Sequence, residues 1–166
     1  MIPIGDFNPR RNVPVVTILL VLANAVVFIY QLSLPEAELQ RLISRAALIP
    51  LRVTAYWEPL AARSLLTSLF LHGSWMHLVG NMLYLWIFGD NVEERLGPLY
   101  YLLFYLASGV AASLAQIAIA PGSSVPIIGA SGAVAGVLGA YLVLFPHARV
   151  RTLVTLFYFL RVVELP

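Results

Sequence analysis

The sequence predicts an all-α membrane protein, a polytopic helical bundle in which several helices cross a lipid bilayer. Hydrophobic residues make up 60% of the 166 residues, and charged residues make up only 11%. The mean hydropathy of +0.87 lies outside the range of soluble globular proteins. Long stretches also lack any charged residue, and these stretches locate the individual helices.

Four stretches are long enough to cross a bilayer. A hydrocarbon core of ~30 Å needs ~20 apolar residues in a helix. The ranges 12–35, 64–89 and 96–148 contain no Asp, Glu, Lys or Arg, and PGSSVP at 121–126 divides the last of them. Within a single domain covering 1–166, the sequence therefore predicts transmembrane helices near 13–34, 66–88, 99–120 and 128–145.

The connections between the predicted spans differ in composition. Residues 35–63 are mixed and aromatic, which favours short interfacial helices with Tyr56 and Trp57 at headgroup level. Residues 90–98 (DNVEERLGP) indicate a short polar turn. The segment TLVTLFYFL (152–160) is too short for a span because Arg161 follows it. The residues after Arg161, VVELP, are expected to lead into a further apolar helix.

The arginines predict how the chain is oriented. They lie before the first span, between the second and third, and after the fourth: Arg10, Arg11, Arg95, Arg149 and Arg151. With four spans, all of these positions fall on one side, which the positive-inside rule makes cytoplasmic. The N-terminus is then cytoplasmic, the fourth span starts toward the exterior, and a plasma or inner membrane is the expected location.

Composition also excludes several classes of protein. The chain has no cysteine, so disulfides and thiolate metal sites are ruled out. Its three histidines are not grouped with carboxylates at ligand spacing, so we expect neither a metal nor an organic cofactor. A formal net charge of +2 gives no indication of nucleic-acid binding.

Polar residues in the second predicted span form the first candidate site. His77 and Asn81 are four residues apart and share a helix face, whereas His72 would point about 140° away from His77 on a continuous helix. Histidine and asparagine within a span indicate function, or hydrogen bonding between helices. If this helix began at Ser64, Asn81 would lie ~26 Å deep. An interfacial 64–69 segment and an inward dip of 121–129 would reduce that depth.

The second candidate site is Ser131, in the GASG sequence at 129–132. It stands at the start of the fourth span, where unpaired backbone N–H groups are able to stabilise an oxyanion. Small residues then recur every four positions: Ser131, Ala135 and Gly139 on one face, and Gly132, Gly136 and Ala140 beside it. This pattern alone is typical of close helix packing in a membrane.

Together, these segments resemble the rhomboid family of intramembrane serine proteases. The matching residues are HGSWMH (72–77) with Asn81, VEERLG (92–97) and GASG (129–132), in that order. The resemblance implies that Ser131 is the nucleophile and that His77, Asn81 and the Ser131 backbone N–H form the oxyanion hole. It also implies that Gly129 and Gly132 shape the helix start, that His72 lines the active-site cavity, and that Glu93 and Arg95 form a structural pair.

The chain departs from the family pattern in two places. Arg63 and Ser64 stand where the family usually has a Trp-Arg pair. The family's general base is a histidine on a sixth span, whereas this sequence reaches only the expected start of a fifth. We therefore expect about four of six transmembrane helices in a C-terminally incomplete domain. His147 cannot replace the base, because it follows Ser131 by sixteen residues, or ~24 Å of helix.

The resemblance implies an intramembrane serine endopeptidase whose partners are transmembrane protein substrates and the lipid bilayer. The 166-residue chain alone is expected to be inactive, because a serine hydroxyl needs a positioned base. Two alternatives stay open: a non-catalytic relative that binds transmembrane clients, and a transporter-like bundle in which Ser131 only packs. The transporter-like bundle predicts internal repeats, which we do not find between the two halves of the chain.

Overall fold

A computed structural model describes residues 1–8, 11–55, 61–156 and 159–165 of the chain. Four long helices form the body of the molecule: α1 (Val15–Ser33), α5 (Trp75–Leu96), α6 (Pro98–Ile119) and α7 (Ser131–Leu144). Three short helices connect α1 to α5: α2 (Glu36–Ala46), α3 (Pro50–Thr54) and α4 (Ala61–Thr67), the last followed by a 3₁₀ turn at Ser68–Phe70. Three strands complete the described part: β1 (Ile2–Asp6), β2 (Val150–Leu156) and β3 (Phe159–Leu165). The mainly helical fold confirms the predicted class.

The four long helices correspond to the four predicted spans. Of the described helices, α1 and α6 combine the length and hydropathy needed to cross a membrane, with 19 and 22 residues. Helix α7 is apolar but shorter, at 14 residues. Helix α5 has 22 residues and ends in a charged turn that contains Glu93, Glu94 and Arg95.

Helix α5 begins and ends later than the predicted second span at 66–88. Residues Leu71–Ser74 are not helical, and the Ser74 side chain caps α5 by accepting a hydrogen bond from the His77 N–H at 3.2 Å. At the other end, most of the predicted 90–98 turn is helical. Gly97, with φ +80°, connects α5 directly to α6, which starts at Pro98.

The charged end of α5 packs against the start of α1. Glu93 is 3% exposed, and its carboxylate accepts hydrogen bonds from Val16 N at 2.9 Å, Thr17 N at 2.8 Å and Thr17 Oγ1 at 2.8 Å. It thus satisfies the unpaired N–H groups of the α1 N-terminus. Arg95, the other member of the expected structural pair, is exposed, and the described residues show no ion pair between it and Glu93.

Glycines bring α7 close to α6. A Cβ at Gly132 would lie 2.4 Å from the Ala112 Cβ, and a Cβ at Gly136 would lie 2.4 Å from the Ser108 Cβ. One predicted small-residue face of α7 is therefore a packing face. The other face, formed by Ser131, Ala135 and Gly139, is exposed in the described structure.

The connection at 35–63, predicted to be interfacial, contains the short helices α2 and α3 and the start of α4. Leu48 pairs with Ile127 in an isolated antiparallel bridge, and Gly129 N donates to Ser68 O at 2.9 Å. These contacts hold the 121–130 loop against the α2–α4 segment. The predicted headgroup residues Tyr56 and Trp57 lie outside the described residues.

The chain termini form a small sheet that the sequence analysis did not anticipate. Strand β2 pairs antiparallel with both β1 and β3, giving the order β1-β2-β3. The segment expected to lead into another helix is instead half of a hairpin, and its two β-branched residues, Val162 and Val163, favour that conformation. Asp6 attaches the sheet to the bundle by accepting hydrogen bonds from Tyr141 Oη at 2.6 Å and Asn91 Nδ2 at 3.0 Å. The sheet therefore lies at the end of the bundle opposite Ser131.

Candidate active site

Ser131 is the first residue of α7, and it is exposed. Its own N–H and those of Gly132 and Ala133 precede the first intrahelical hydrogen bond, which runs from Val134 N to Ala130 O at 2.9 Å. These three N–H groups point toward the region in front of the helix, where the helix dipole also favours negative charge. The start of α7 is therefore better suited to stabilising an oxyanion than to helix packing alone.

His77 and Asn81 both contact the Ser131 hydroxyl. His77 Nε2 lies 3.1 Å from Ser131 Oγ, and Ser131 Oγ donates to Asn81 Oδ1 at 3.1 Å. The structure thus brings together the three residues that the sequence analysis placed in one site. Because α5 begins at Trp75, Asn81 is six residues, or ~9 Å, along the helix. The expected conflict in depth between Asn81 and Ser131 is thereby removed.

Gly129 makes this approach possible. Its φ of +118° is one that residues with side chains rarely adopt. A Cβ at this position would lie 2.5 Å from His77 Cε1 and 2.6 Å from His77 Nε2. The first glycine of the GASG motif therefore leaves the space that the imidazole occupies beside Ser131.

His72 lies directly behind Asn81, although the helical-wheel argument placed it far from His77. His72 is in the non-helical segment before α5, so the angle expected on one continuous helix does not apply to it. Its Nε2 is 3.1 Å from Asn81 Nδ2, and its ring centroid is 5.1 Å from that of His77. Gln31 bonds both backbone groups of His72, accepting from its N–H at 3.0 Å and donating to its carbonyl at 3.1 Å.

His72 is 1% exposed, so it supports the site from behind and does not line an open cavity as expected. Burial, together with the smaller effect of the nearby His77, lowers the pKa of the His72 imidazole to about 4. His72 is therefore neutral at pH 7. A neutral imidazole has one nitrogen that donates and one that accepts.

The four side chains form one hydrogen-bonded chain with a direction. With the Asn81 amide oxygen toward Ser131, its Nδ2 donates to His72 Nε2, and the Ser131 hydroxyl donates to Asn81. The Ser131 oxygen is then free to accept from a protonated His77 Nε2. In this arrangement His77 is a hydrogen-bond donor, as an oxyanion hole requires. An amide rotation of Asn81 would reverse every bond in the chain, and the Ser131 hydroxyl would then donate to His77.

A cleft of about 240 Å³ opens beside Ser131 between α6, α7 and the Ser68–Phe70 turn. Its polar lining residues other than Ser131 are Ser68, Ser113 and Gln116. His147 follows the opposite end of α7 and is exposed, in agreement with its exclusion as a base. Among the described residues, no group of three or more His, Cys, Asp or Glu side chains could hold a metal ion.

Three supporting groups were missed in the sequence analysis: Ser74, Gln31 and the Ser68 carbonyl. Ser74 had a usable signal, because a serine immediately before an apolar helical segment is a common N-cap. Gln31 was an uncharged polar residue near the end of an apolar run, which is a weaker signal. The Ser68 carbonyl had no sequence signal, because any residue supplies one.

Comparison with known proteins identifies the family. Residues 56–164 match the model of the rhomboid domain. The chain is 40% identical over 95 residues to Rhomboid protein 1, mitochondrial, of Saccharomyces cerevisiae, covering 52% of this chain and 26% of that protein. It is 45% identical over 78 residues to Rhomboid protease GluP of Bacillus subtilis, covering 47% and 15% of the two chains.

Rhomboid-like protein 11, chloroplastic, of Arabidopsis thaliana is 44% identical over 70 residues, covering 42% of this chain and 25% of that protein. In all three comparisons the chain spans about a quarter or less of the relative's length. The family match covers well over half of this chain and includes the segments that carry His77, Asn81 and Ser131. The chain belongs to the rhomboid family of integral membrane proteins.

Proposed function

We propose that this chain supplies the nucleophile and the oxyanion-binding groups of a rhomboid-type intramembrane serine endopeptidase. The observation that carries the proposal is the position of Ser131 Oγ, 3.1 Å from both His77 Nε2 and Asn81 Oδ1 at the start of α7. Family membership supports the same reaction class, since one relative is named a rhomboid protease.

In the proposed reaction, Ser131 Oγ attacks the scissile carbonyl carbon of a transmembrane substrate. A general base takes the hydroxyl proton and passes it to the leaving amine, and water then hydrolyses the acyl-enzyme. The Ser131 backbone N–H and a protonated His77 Nε2 stabilise the oxyanion. Asn81 joins them as a donor only after its amide rotates, which also requires His72 to donate from Nε2.

We further propose that the base is a histidine on a helix outside these 166 residues. In the described arrangement the Ser131 hydroxyl donates to an amide oxygen, which is too weak a base to remove its proton. The exposed face of Ser131, Ala135 and Gly139 offers a helix close access to the nucleophile. The topology proposed with it has a cytoplasmic N-terminus and Ser131 on the exterior side.

A serine-directed fluorophosphonate probe tests this assignment. The purified 166-residue chain should label negligibly, and added imidazole, a diffusible base, should raise the labelling severalfold because Ser131 is exposed. Ser131→Ala should remove the signal, whereas Ser113→Ala, a serine of the same cleft, should retain it. Labelling without imidazole that disappears in His77→Ala would instead make His77 the base.

A non-catalytic protein that binds transmembrane clients is the second candidate. It is favoured by the same hydrogen bond from the Ser131 hydroxyl to Asn81, which leaves the serine unactivated. Absence of labelling in every condition, together with retained binding of a transmembrane peptide, would support it. The transporter-like bundle has no comparable observation in its favour.

A further inference from the structure

We propose that the cleft between α1 and α2 binds the headgroup of an amine-bearing glycerophospholipid, phosphatidylethanolamine. The α1–α2 cleft has a volume of about 240 Å³ and is lined by Tyr30, Leu34, Glu38, Arg41, Leu42 and Arg45. It lies at the same end of the bundle as Ser131, but it shares no lining residue with the cleft beside the serine. The inference is independent of the proposed peptidase function.

Two arginines give the cleft its affinity for phosphate. Arg41 and Arg45 are one turn apart on the same face of α2, and both are exposed. Within the described part of the chain, neither guanidinium forms a hydrogen bond or an ion pair. Arg52 differs, because its guanidinium donates to the Ser44 carbonyl. Two guanidinium groups on one face of a helix suit a phosphodiester, because each arginine presents paired N–H donors that are able to bind two phosphate oxygens in a bidentate manner.

Glu38 makes the cleft selective for a headgroup that carries an amine. It lies on the same side of α2 as Arg41 and lines the same cleft. A headgroup with a phosphate and a primary ammonium would satisfy both signs of charge at once. A trimethylated ammonium has no N–H to donate to Glu38, and a glycerol headgroup carries no positive charge.

An apolar path for acyl chains leads away from the cleft along α1. Its members are spaced four and three residues apart and are each more than half exposed: Val15, Leu19, Leu22, Val26 and Ile29. The path is ~21 Å long, which exceeds the ~15 Å half-thickness of a bilayer core. Tyr30 lies where it meets the cleft, the position that tyrosine favours at a membrane interface. A charged cleft at the end of an apolar path fits an amphiphile.

Native mass spectrometry of the 166-residue chain in detergent containing equal amounts of three phospholipids tests the site. Phosphatidylethanolamine adducts should exceed those of phosphatidylglycerol and phosphatidylcholine. The double variant Arg41→Gln/Arg45→Gln should bind phosphatidylethanolamine about ten- to thirty-fold more weakly, from about 1 kcal/mol per arginine. Glutamine keeps the helix propensity of α2, so the variant should fold, and its thermal unfolding curve checks this.

Matched variants separate the parts of the proposal. Arg95→Gln/Arg161→Gln removes two exposed charges at the opposite end of the bundle and should leave binding unchanged. Glu38→Gln should abolish the preference over phosphatidylglycerol while phosphate-dependent binding continues. Glycerophosphoethanolamine, which has the headgroup without acyl chains, should not compete at equal concentration.

Three results would overturn the assignment. Undiminished phosphatidylethanolamine binding in the Arg41 and Arg45 double variant would show that these arginines do not bind the phosphate. An unchanged headgroup preference in Glu38→Gln would show that Glu38 does not contact the amine. Effective competition by glycerophosphoethanolamine would show that the cleft binds a soluble phosphate compound and not a lipid.

Discussion

Replacing Glu93 by glutamine tests whether one buried carboxylate joins the end of α5 to the start of α1. The carboxylate accepts three hydrogen bonds, one on Oε1 from Val16 N and two on Oε2 from Thr17 N and Thr17 Oγ1. If the glutamine oxygen takes the Oε2 position, both bonds from Thr17 persist without the charge. The side-chain NH₂ then faces the Val16 N–H, so that bond is lost and two donors oppose each other.

The structure sets the expected size of the effect. A buried hydrogen bond to a charged group contributes about 1.5–3 kcal/mol, and losing it here leaves a donor unsatisfied at the α1 N-terminus. Weakening of the two remaining bonds and loss of the charge–dipole interaction add to this. We therefore expect Glu93→Gln to lower the free energy of unfolding by about 2–4 kcal/mol.

Glu94→Gln is the matched control, one residue along the same helix. Glu94 accepts from Arg11 N at 3.0 and 3.2 Å in an exposed setting, so its replacement should cost about 0.5 kcal/mol or less. Unfolding of both variants is followed by circular dichroism in a mild detergent titrated with a denaturing one. Equal destabilisation by the two substitutions would refute the assignment of a special role to the buried carboxylate.

Two further predictions concern the surroundings of Ser131. Gly129→Ala should displace the His77 ring and destabilise the fold by about 1–3 kcal/mol, because the Cβ would overlap His77 and the φ of +118° strains any residue with a side chain. NMR signals of the His77 ring nitrogens should shift in this variant. In the control Gly139→Ala these signals should stay in place, because a Cβ at Gly139 meets nothing within 4 Å. Because burial lowers the pKa of His72 to about 4 from its ordinary value of 6.5, the unfolded chain binds a proton between these pH values that the folded chain does not. Stability should fall by about 3 kcal/mol as pH drops through this window. His72→Gln should lack this pH-dependent loss, and the exposed His147→Gln should retain it; equal pH profiles for the two variants would contradict the assignment.

The sequence was most informative where one physical constraint acts over many residues. Uncharged stretches of membrane length predicted the four long helices, because burial in lipid excludes charge and requires backbone groups to be paired within a segment. The small residues that recur every four positions in α7 predicted a packing face, because they allow two helices to approach closely. The order of the HGSWMH, VEERLG and GASG segments indicated the family, and the match over residues 56–164 confirms it.

Helix boundaries and partners were less predictable, because they depend on contacts between distant segments. The Ser74 cap delays the start of α5 and brings His72 behind Asn81, a result that no helical projection of 66–88 contains. The sheet of β1, β2 and β3 joins residues about 150 positions apart. Local hydropathy could not distinguish β3 from the start of another apolar helix, since a short apolar run fits both.

For the site itself, the sequence determined which residues take part, and the tertiary structure determined how they contact one another. The amino-acid sequence determined that Ser131 starts a membrane helix and that His77 and Asn81 share a face of another. Only the tertiary structure decided that both side chains contact one hydroxyl and that Gly129 leaves room for the His77 ring beside it. The reason is that these contacts depend on how α5, α7 and the 121–130 loop are placed relative to one another, which no local stretch of sequence specifies.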